Sequence, residues 1–145
     1  ADSVQLAGTM RTLSEHTRDR LLAGLPRIAE GIAAAHDATA RVELQPGYPV
    51  VLNDAGFEAF AGGVARDLLG EQAVLTLPTP IMGAEDFSYV LDRTPGAMML
   101  LGARPPGVTD PAPCHSSRMM LDEKAMAVGS AVHTAVATRF LETTG

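Results

Sequence analysis

The sequence predicts a mixed α/β fold, because strand-like and helix-like hydrophobic patterns follow one another along the chain. Apolar and polar residues alternate over 4–10 and again over 40–44, which is the period of a half-buried strand. Three longer segments repeat apolar residues at helical spacing instead. A continuous apolar run over 97–101 lies between glycines and is typical of a strand that an α/β sheet buries on both faces. We therefore expect strands and helices in one ordinary domain or two small lobes.

The first fifty residues predict a strand–helix–strand unit. After the strand over 4–10, Ser14 is placed to cap a helix that extends to about His36. Pro26 predicts a kink or a break inside this helix, because a mid-helix proline removes a hydrogen bond and clashes with the preceding turn. The second strand, over 40–44, stops at a Pro-Gly pair, and the extended segment behind it predicts a domain boundary near residue 50.

The remainder of the chain predicts three helices and two further strands. Asn53 and Asp54 are placed to cap a helix that Gly70 can end, and Asp122 and Glu123 are placed to cap the last helix. Between these two helices, the pattern predicts a strand over 73–77, a short helix that follows from 82–88 and ends before Thr94, and the buried strand over 97–101.

Composition and charge exclude several classes of function. The formal net charge of −6 gives no attraction to nucleic acid or to an anionic membrane surface. The single cysteine, Cys114, excludes an internal disulfide framework, and no apolar run approaches the ~20 residues of a membrane span. We therefore expect a soluble, cytoplasmic protein. Because the chain starts without methionine and runs directly into a strand-like pattern, we also expect it to be cut from a longer protein.

A few polar groups could carry chemistry, although none is specific alone. Glu85 and Asp86 lie at a helix start, where helix capping and the helix dipole explain them better than a chemical role does. A solvated loop position likewise explains His115 better than metal binding does. Cys114 has no base partner in the pattern, which favours a small buried hydrophobe over a nucleophile. Arg11 on the first strand could bind an anionic group of a substrate.

Four motifs, taken in their order along the chain, resemble the aminoacylase/carboxypeptidase group of zinc-type metallopeptidases. This group includes hippurate hydrolases and the hydrolases of indole-acetyl amino acid conjugates. The resemblance covers essentially the whole chain. The motifs are Gly8-Thr9-Met10-Arg11-Thr12, Gly47-Tyr48-Pro49 followed by Asn53-Asp54, Met82-Gly83-Ala84-Glu85-Asp86-Phe87-Ser88, and His115-Ser116 followed by Asp122-Glu123.

The resemblance implies a particular domain organisation. The parent would be a two-domain enzyme, in which a smaller ferredoxin-like lid or dimerisation domain interrupts an α/β catalytic domain. Residues 1–49 would be the second half of the lid, as a strand–helix–strand unit. Residues 50–145 would be the C-terminal part of the catalytic domain.

The resemblance also assigns roles to individual residues. In the family, the histidine of the final His-Ser motif binds one ion of a dinuclear metal centre, and His115 takes that position. Gly83, Glu85 and Asp86 match a family segment near the active site, with a positioning role only. Candidates for substrate binding are Arg11 and Asn53. No residue of this chain is expected to be catalytic.

The function implied is that of a fragment of a dinuclear-metal amidohydrolase. The full-length enzyme would hold two divalent ions, zinc, manganese or similar, and cleave hippurate-like N-acyl amino acids to a carboxylic acid and an amino acid. The family's other metal ligands and its catalytic glutamate belong to an N-terminal half that this sequence lacks, so we expect no activity from this chain alone. One histidine leaves open whether the chain binds any ion. The alternative is a non-catalytic oligomerisation module, and we expect a homo-oligomer.

Overall fold

A computed structural model describes residues 2–144, and every regular element in that range is a helix. The elements are α1 (Glu15–Ala35), α2 (Ala55–Leu69), α3 (Ser88–Leu91), α4 (Lys124–Thr144) and one turn of 3₁₀ helix (Glu71–Ala73). The chain divides into two compact units. One contains residues 2–52 and Leu77–Thr94, and the other contains Asn53–Thr76 and residues 95–144. The domain boundary predicted near residue 50 concerns the parent enzyme and stays a prediction.

None of the four predicted strands forms within the described residues, so the predicted α/β fold class, with its ferredoxin-like half, is wrong. Ala73 belongs to the 3₁₀ turn, and no ladder of backbone hydrogen bonds joins the other predicted strand segments. A helix forms its hydrogen bonds within one segment, whereas a strand requires a second strand in register. The alternating pattern predicts which face of a strand would be buried, but it does not provide the second strand. Val4 and Leu6 are accordingly 83% and 90% exposed.

Helix α1 begins where the sequence predicts. The Ser14 hydroxyl accepts a hydrogen bond from the Thr17 amide at 3.2 Å. The helix continues through Pro26 to Ala35, so the break predicted there is absent, and a kink at Pro26 stays a prediction. The apolar stripe that makes α1 amphipathic faces solvent, each side chain being 43% to 60% exposed. The stripe consists of Leu21, Leu25, Ile28 and Ile32.

The first turn of α1 holds the segment 47–50 of the same unit. The Arg18 guanidinium donates to the carbonyl oxygens of Gly47 at 2.9 Å and Tyr48 at 3.3 Å. The Glu15 carboxylate accepts from the Val50 amide at 3.1 Å and pairs with Arg18 at 3.3 Å. Backbone groups that have no place in a helix or a sheet are thereby satisfied by side chains.

The second unit is built on α2 packed against α4. Phe57 and Phe60 of α2 meet Phe140 of α4, with ring centroids 5.9 Å and 6.1 Å apart. Small side chains on α2 let the two backbones approach closely and form the buried apolar core of this unit. These core residues are Ala61, Val64 and Ala65.

Both ends of α2 and the start of α4 have the capping residues that the sequence predicts. The Asp54 carboxylate accepts from the Phe57 amide at 2.7 Å, and Gly70 closes α2 with a φ of +91°. The Asp122 carboxylate accepts from the Lys124 amide at 3.0 Å. Within residues 2–144, no helix combines the length and the apolar character that crossing a bilayer requires.

Candidate functional site

The candidate site is a loop, 104–121, that precedes α4 in the second unit. The Asp122 amide donates to the Ala103 carbonyl oxygen at 2.8 Å and so closes the base of the loop. The Asp122 carboxylate caps the first turn of α4 at the same point. The loop is therefore fixed at its end by the helix that packs on α2.

His115 lies in a reverse turn within this loop. The Ser116 amide donates to the Pro113 carbonyl oxygen at 3.1 Å, which leaves Cys114 and His115 as the two central residues. His115 has a φ of +69°, in the left-handed region that favours glycine. Because a side chain in this region adds steric cost, the backbone here is strained, and strain of this kind is concentrated at functional sites.

Both central residues of the turn present their side chains to solvent. The exposure of His115 agrees with the loop position that the sequence predicts. Cys114 is also exposed, which corrects the expectation of a buried hydrophobe. An exposed imidazole nitrogen can bind a metal ion, so the position of His115 is chemically suited to a ligand.

The described residues do not by themselves make a metal centre. No group of three or more His, Cys, Asp or Glu side chains comes together among residues 2–144. A hydrolytic zinc ion takes three protein ligands and an open position. His115 can therefore be one ligand of a centre but cannot form one within this part of the chain.

Gly83, Glu85 and Asp86 lie in the other unit, in the segment that leads into α3. All three are exposed, and neither carboxylate forms a hydrogen bond or an ion pair with a described residue. It is the Glu85 carbonyl oxygen, rather than a side chain, that organises the turn, by accepting from the fully buried Ser88 hydroxyl at 2.7 Å. The two carboxylates thus stay accessible to solvent, and capping by them is not observed.

Arg11 belongs to the same unit as Gly83, Glu85 and Asp86. Its side chain is exposed and forms no hydrogen bond or ion pair with the residues that the structure describes. Its guanidinium is therefore exposed but has no strand to orient it, and its binding of an anionic group stays a prediction.

Asn53 has a structural partner in the second unit. Its amide oxygen accepts from the Met98 amide at 2.8 Å, and its amide nitrogen donates to the Met98 carbonyl oxygen at 3.2 Å. Beside this pair, the Asp54 amide donates to the Gly96 carbonyl oxygen at 2.8 Å. The Asn53 side chain therefore links the start of α2 to the segment 96–98. Its proposed part in substrate binding stays a prediction.

Sequence reasoning missed the part that Ser116 plays in this loop. Its hydroxyl accepts from the Arg118 amide at 3.1 Å, and its carbonyl oxygen accepts from the Met119 amide at 3.0 Å. Serine forms such local turns readily, so the Ser-Ser-Arg sequence after His115 is the signal that could have indicated them.

Comparison with known proteins assigns the chain to a protein family. The family model of peptidase family M20/M25/M40 matches residues 5–139. The chain therefore belongs to this family, which confirms the resemblance found in its motifs. Peptidases of the family generally depend on divalent metal ions.

Three relatives illustrate the similarity. The probable hydrolase of Synechocystis sp. is 35% identical over 89% of this chain and 33% of its own length. An IAA-amino acid hydrolase of Arabidopsis thaliana is 31% identical over 97% of the chain and 32% of its own length. An N-acetyldiaminopimelate deacetylase of Leuconostoc citreum is 34% identical over 88% of the chain and 32% of its own length. The chain thus spans about a third of the length of the relatives that it matches.

Proposed function

We propose that the protein is a metal-dependent amidohydrolase that acts on N-acyl amino acids, and that this chain supplies His115 as one metal ligand. Water is added across the amide bond, so that the carbon–nitrogen bond breaks and a carboxylic acid and an amino acid form. The observation that carries this proposal is the exposed imidazole of His115, on a turn with a positive φ in a loop anchored to α4, within the range that the family model matches.

The substrate class is supported by the names of the relatives. One is an IAA-amino acid hydrolase and another an N-acetyldiaminopimelate deacetylase. N-acetyldiaminopimelate is itself an amino acid with an acylated nitrogen, and we propose the same bond as the target here. The exposed guanidinium of Arg11 is suited to a substrate carboxylate, because its planar fork matches that group.

Glu85 and Asp86 are proposed to lie in the neighbourhood of the active site rather than to bind metal. Both are exposed, and no described partner neutralises them. Because residues 2–144 bring together no set of three metal ligands, we propose that further ligands come from the intact gene product. The centre is proposed to be dinuclear, as the resemblance implies. This chain alone is then expected to be inactive.

The experiment that tests the proposal compares the purified 145-residue chain with the intact gene product. Both are assayed for release of the free amino acid from hippurate, from N-acetyl amino acids and from indole-acetyl amino acids, with and without added Zn²⁺ or Mn²⁺. We expect metal-dependent hydrolysis of at least one substrate by the intact product only. If the intact, metal-loaded product released no amino acid from any of them, the proposed substrate class would be wrong.

A second candidate function is self-association without catalysis, and the exposed stripe on α1 favours it. Leu21, Leu25, Ile28 and Ile32 form an apolar face that the described residues leave uncovered. We propose that a second copy of the chain covers this face. In sedimentation velocity, a Leu25→Glu/Ile28→Glu variant should sediment as a monomer and the wild type as an oligomer. A wild-type chain that stays monomeric at high concentration would contradict this candidate.

A further inference from the structure

Ser116 takes part in two consecutive turns of the His115 loop. Its amide closes the turn that contains His115, by donating to the Pro113 carbonyl oxygen at 3.1 Å. Its carbonyl oxygen accepts from the Met119 amide at 3.0 Å and closes the next turn. Its hydroxyl accepts from the Arg118 amide at 3.1 Å inside that second turn. Every hydrogen-bonding group of Ser116 is thus used to shape the loop.

We propose that Ser116 is a positioning residue for His115, which holds the imidazole outward by fixing the turn behind it. The benefit of Ser116 for hydrolysis rests on the function proposed above, whereas its effect on the backbone of His115 does not. Ser116 is half-buried whereas His115 is exposed, so the serine is the less accessible of these two neighbouring residues.

The physical reason is the strained backbone of His115. A φ of +69° is costly for a residue with a side chain and persists only where neighbouring contacts determine it. Among the described residues, Ser116 supplies such contacts. Its amide closes the turn that contains His115, and its hydroxyl and carbonyl oxygens accept from the Arg118 and Met119 amides. Without the hydroxyl, the Arg118 amide loses its partner, the second turn loosens, and His115 can relax to a negative φ.

Ser117 provides a matched control. It is the same residue type, adjacent in the same loop and exposed, and its hydroxyl forms no hydrogen bond with the described residues. Loss of the Ser117 hydroxyl should therefore leave the turn intact. Ser116→Thr keeps a hydroxyl on the same atom and should restore what Ser116→Ala removes.

The test is nuclear magnetic resonance on the isotopically labelled 145-residue chain. A positive φ brings the amide and α hydrogens of one residue unusually close. Wild-type His115 should therefore give a strong intraresidue nuclear Overhauser cross-peak between these two hydrogens. In Ser116→Ala, we expect this peak to fall to the intensity of the negative-φ residues of the same loop. Ser116→Thr and Ser117→Ala should keep the strong peak, and the resonances of α2 and α4 should not move.

Two results separate this proposal from the function on which its benefit rests. A strong His115 cross-peak in Ser116→Ala would overturn the positioning role. If the cross-peak is lost in the chain while Ser116→Ala in the intact gene product keeps the wild-type metal content and turnover number, the positioning is supported and its benefit for hydrolysis fails. Loss of both supports the two proposals together.

Discussion

The backbone of His115 departs from what its residue type prefers, and the cause lies in the turn that it occupies. The third position of a turn with a positive φ is one that glycine fills without steric cost. Histidine at φ +69° carries this steric cost, and the turn presents an imidazole at this position.

This strain can be measured with two substitutions at the same position. We expect His115→Gly to be more stable than His115→Ala by about 1 kcal/mol, because only alanine has a Cβ that the positive φ disfavours. Urea unfolding of the 145-residue chain, followed by circular dichroism, gives both free energies. An alanine variant as stable as the glycine variant would show that the strain is not present in solution.

Asn53 illustrates how one side chain can replace a missing strand partner. Its amide group pairs with both backbone groups of Met98, as a neighbouring strand would. We expect Asn53→Ala to lower the free energy of unfolding by roughly 1–3 kcal/mol, because two part-buried backbone groups lose their partners. Thermal and urea unfolding measure this.

The control for Asn53 is Gln72→Ala, an amide removed from an exposed site. Its effect should stay within about 0.5 kcal/mol. If Asn53→Ala were as stable as the wild type but impaired hydrolysis by the intact gene product, Asn53 would act on the substrate rather than on the fold.

At the scale of elements, the helices depend on local sequence and the absent strands on partners. Ser14, Asp54 and Asp122 could be assigned as caps from the sequence, because a cap and the amide that it accepts from lie within three residues. The segment 97–101 could not be assigned correctly, because a buried strand requires neighbours that its own residues do not specify. Local interactions were therefore predictable and non-local pairing was not.

Helix α2 also offers a test of its packing. Gly63 lies inside this helix, and a Cβ added there meets no atom within 4 Å. We expect Gly63→Ala to raise the free energy of unfolding by about 0.5–1 kcal/mol, because alanine loses less backbone entropy in a helix. Differential scanning calorimetry should show a higher Tm.

Gly129 in α4 gives the comparison for Gly63. A Cβ at Gly129 comes within 3.0 Å of the Leu101 Cδ2 atom. Part of the stabilisation that alanine gives in a helix is therefore lost here in moving the Leu101 side chain. Gly129→Ala should therefore stabilise the chain less than Gly63→Ala. The opposite order would contradict the packing of residue 101 on α4.

At the scale of the whole molecule, the candidate site could be predicted only in part. The motif order identified the family and singled out His115, although physical reasoning on a lone loop histidine favoured a solvated residue. The contribution of Ser116 and the backbone pairing of Asn53 arise from the folded loop, so no pattern of residue types revealed them. The fold class was wrong for the same reason, since it depends on pairing between distant segments.

His115 is proposed to bind a metal ion that hydrolysis requires. His133 is the matched control, since it is an exposed histidine of the same unit that lies on α4 rather than in the loop. The decisive measurement is metal content by mass spectrometry together with kcat/KM for an N-acyl amino acid, on the intact gene product and its two alanine variants.

His115→Ala should reduce the metal content and lower kcat/KM by more than about 100-fold, since even partners that only orient a metal ligand are worth 10–100-fold. His133→Ala should match the wild type in both quantities. Wild-type metal content and activity in His115→Ala would show that His115 is not a metal ligand.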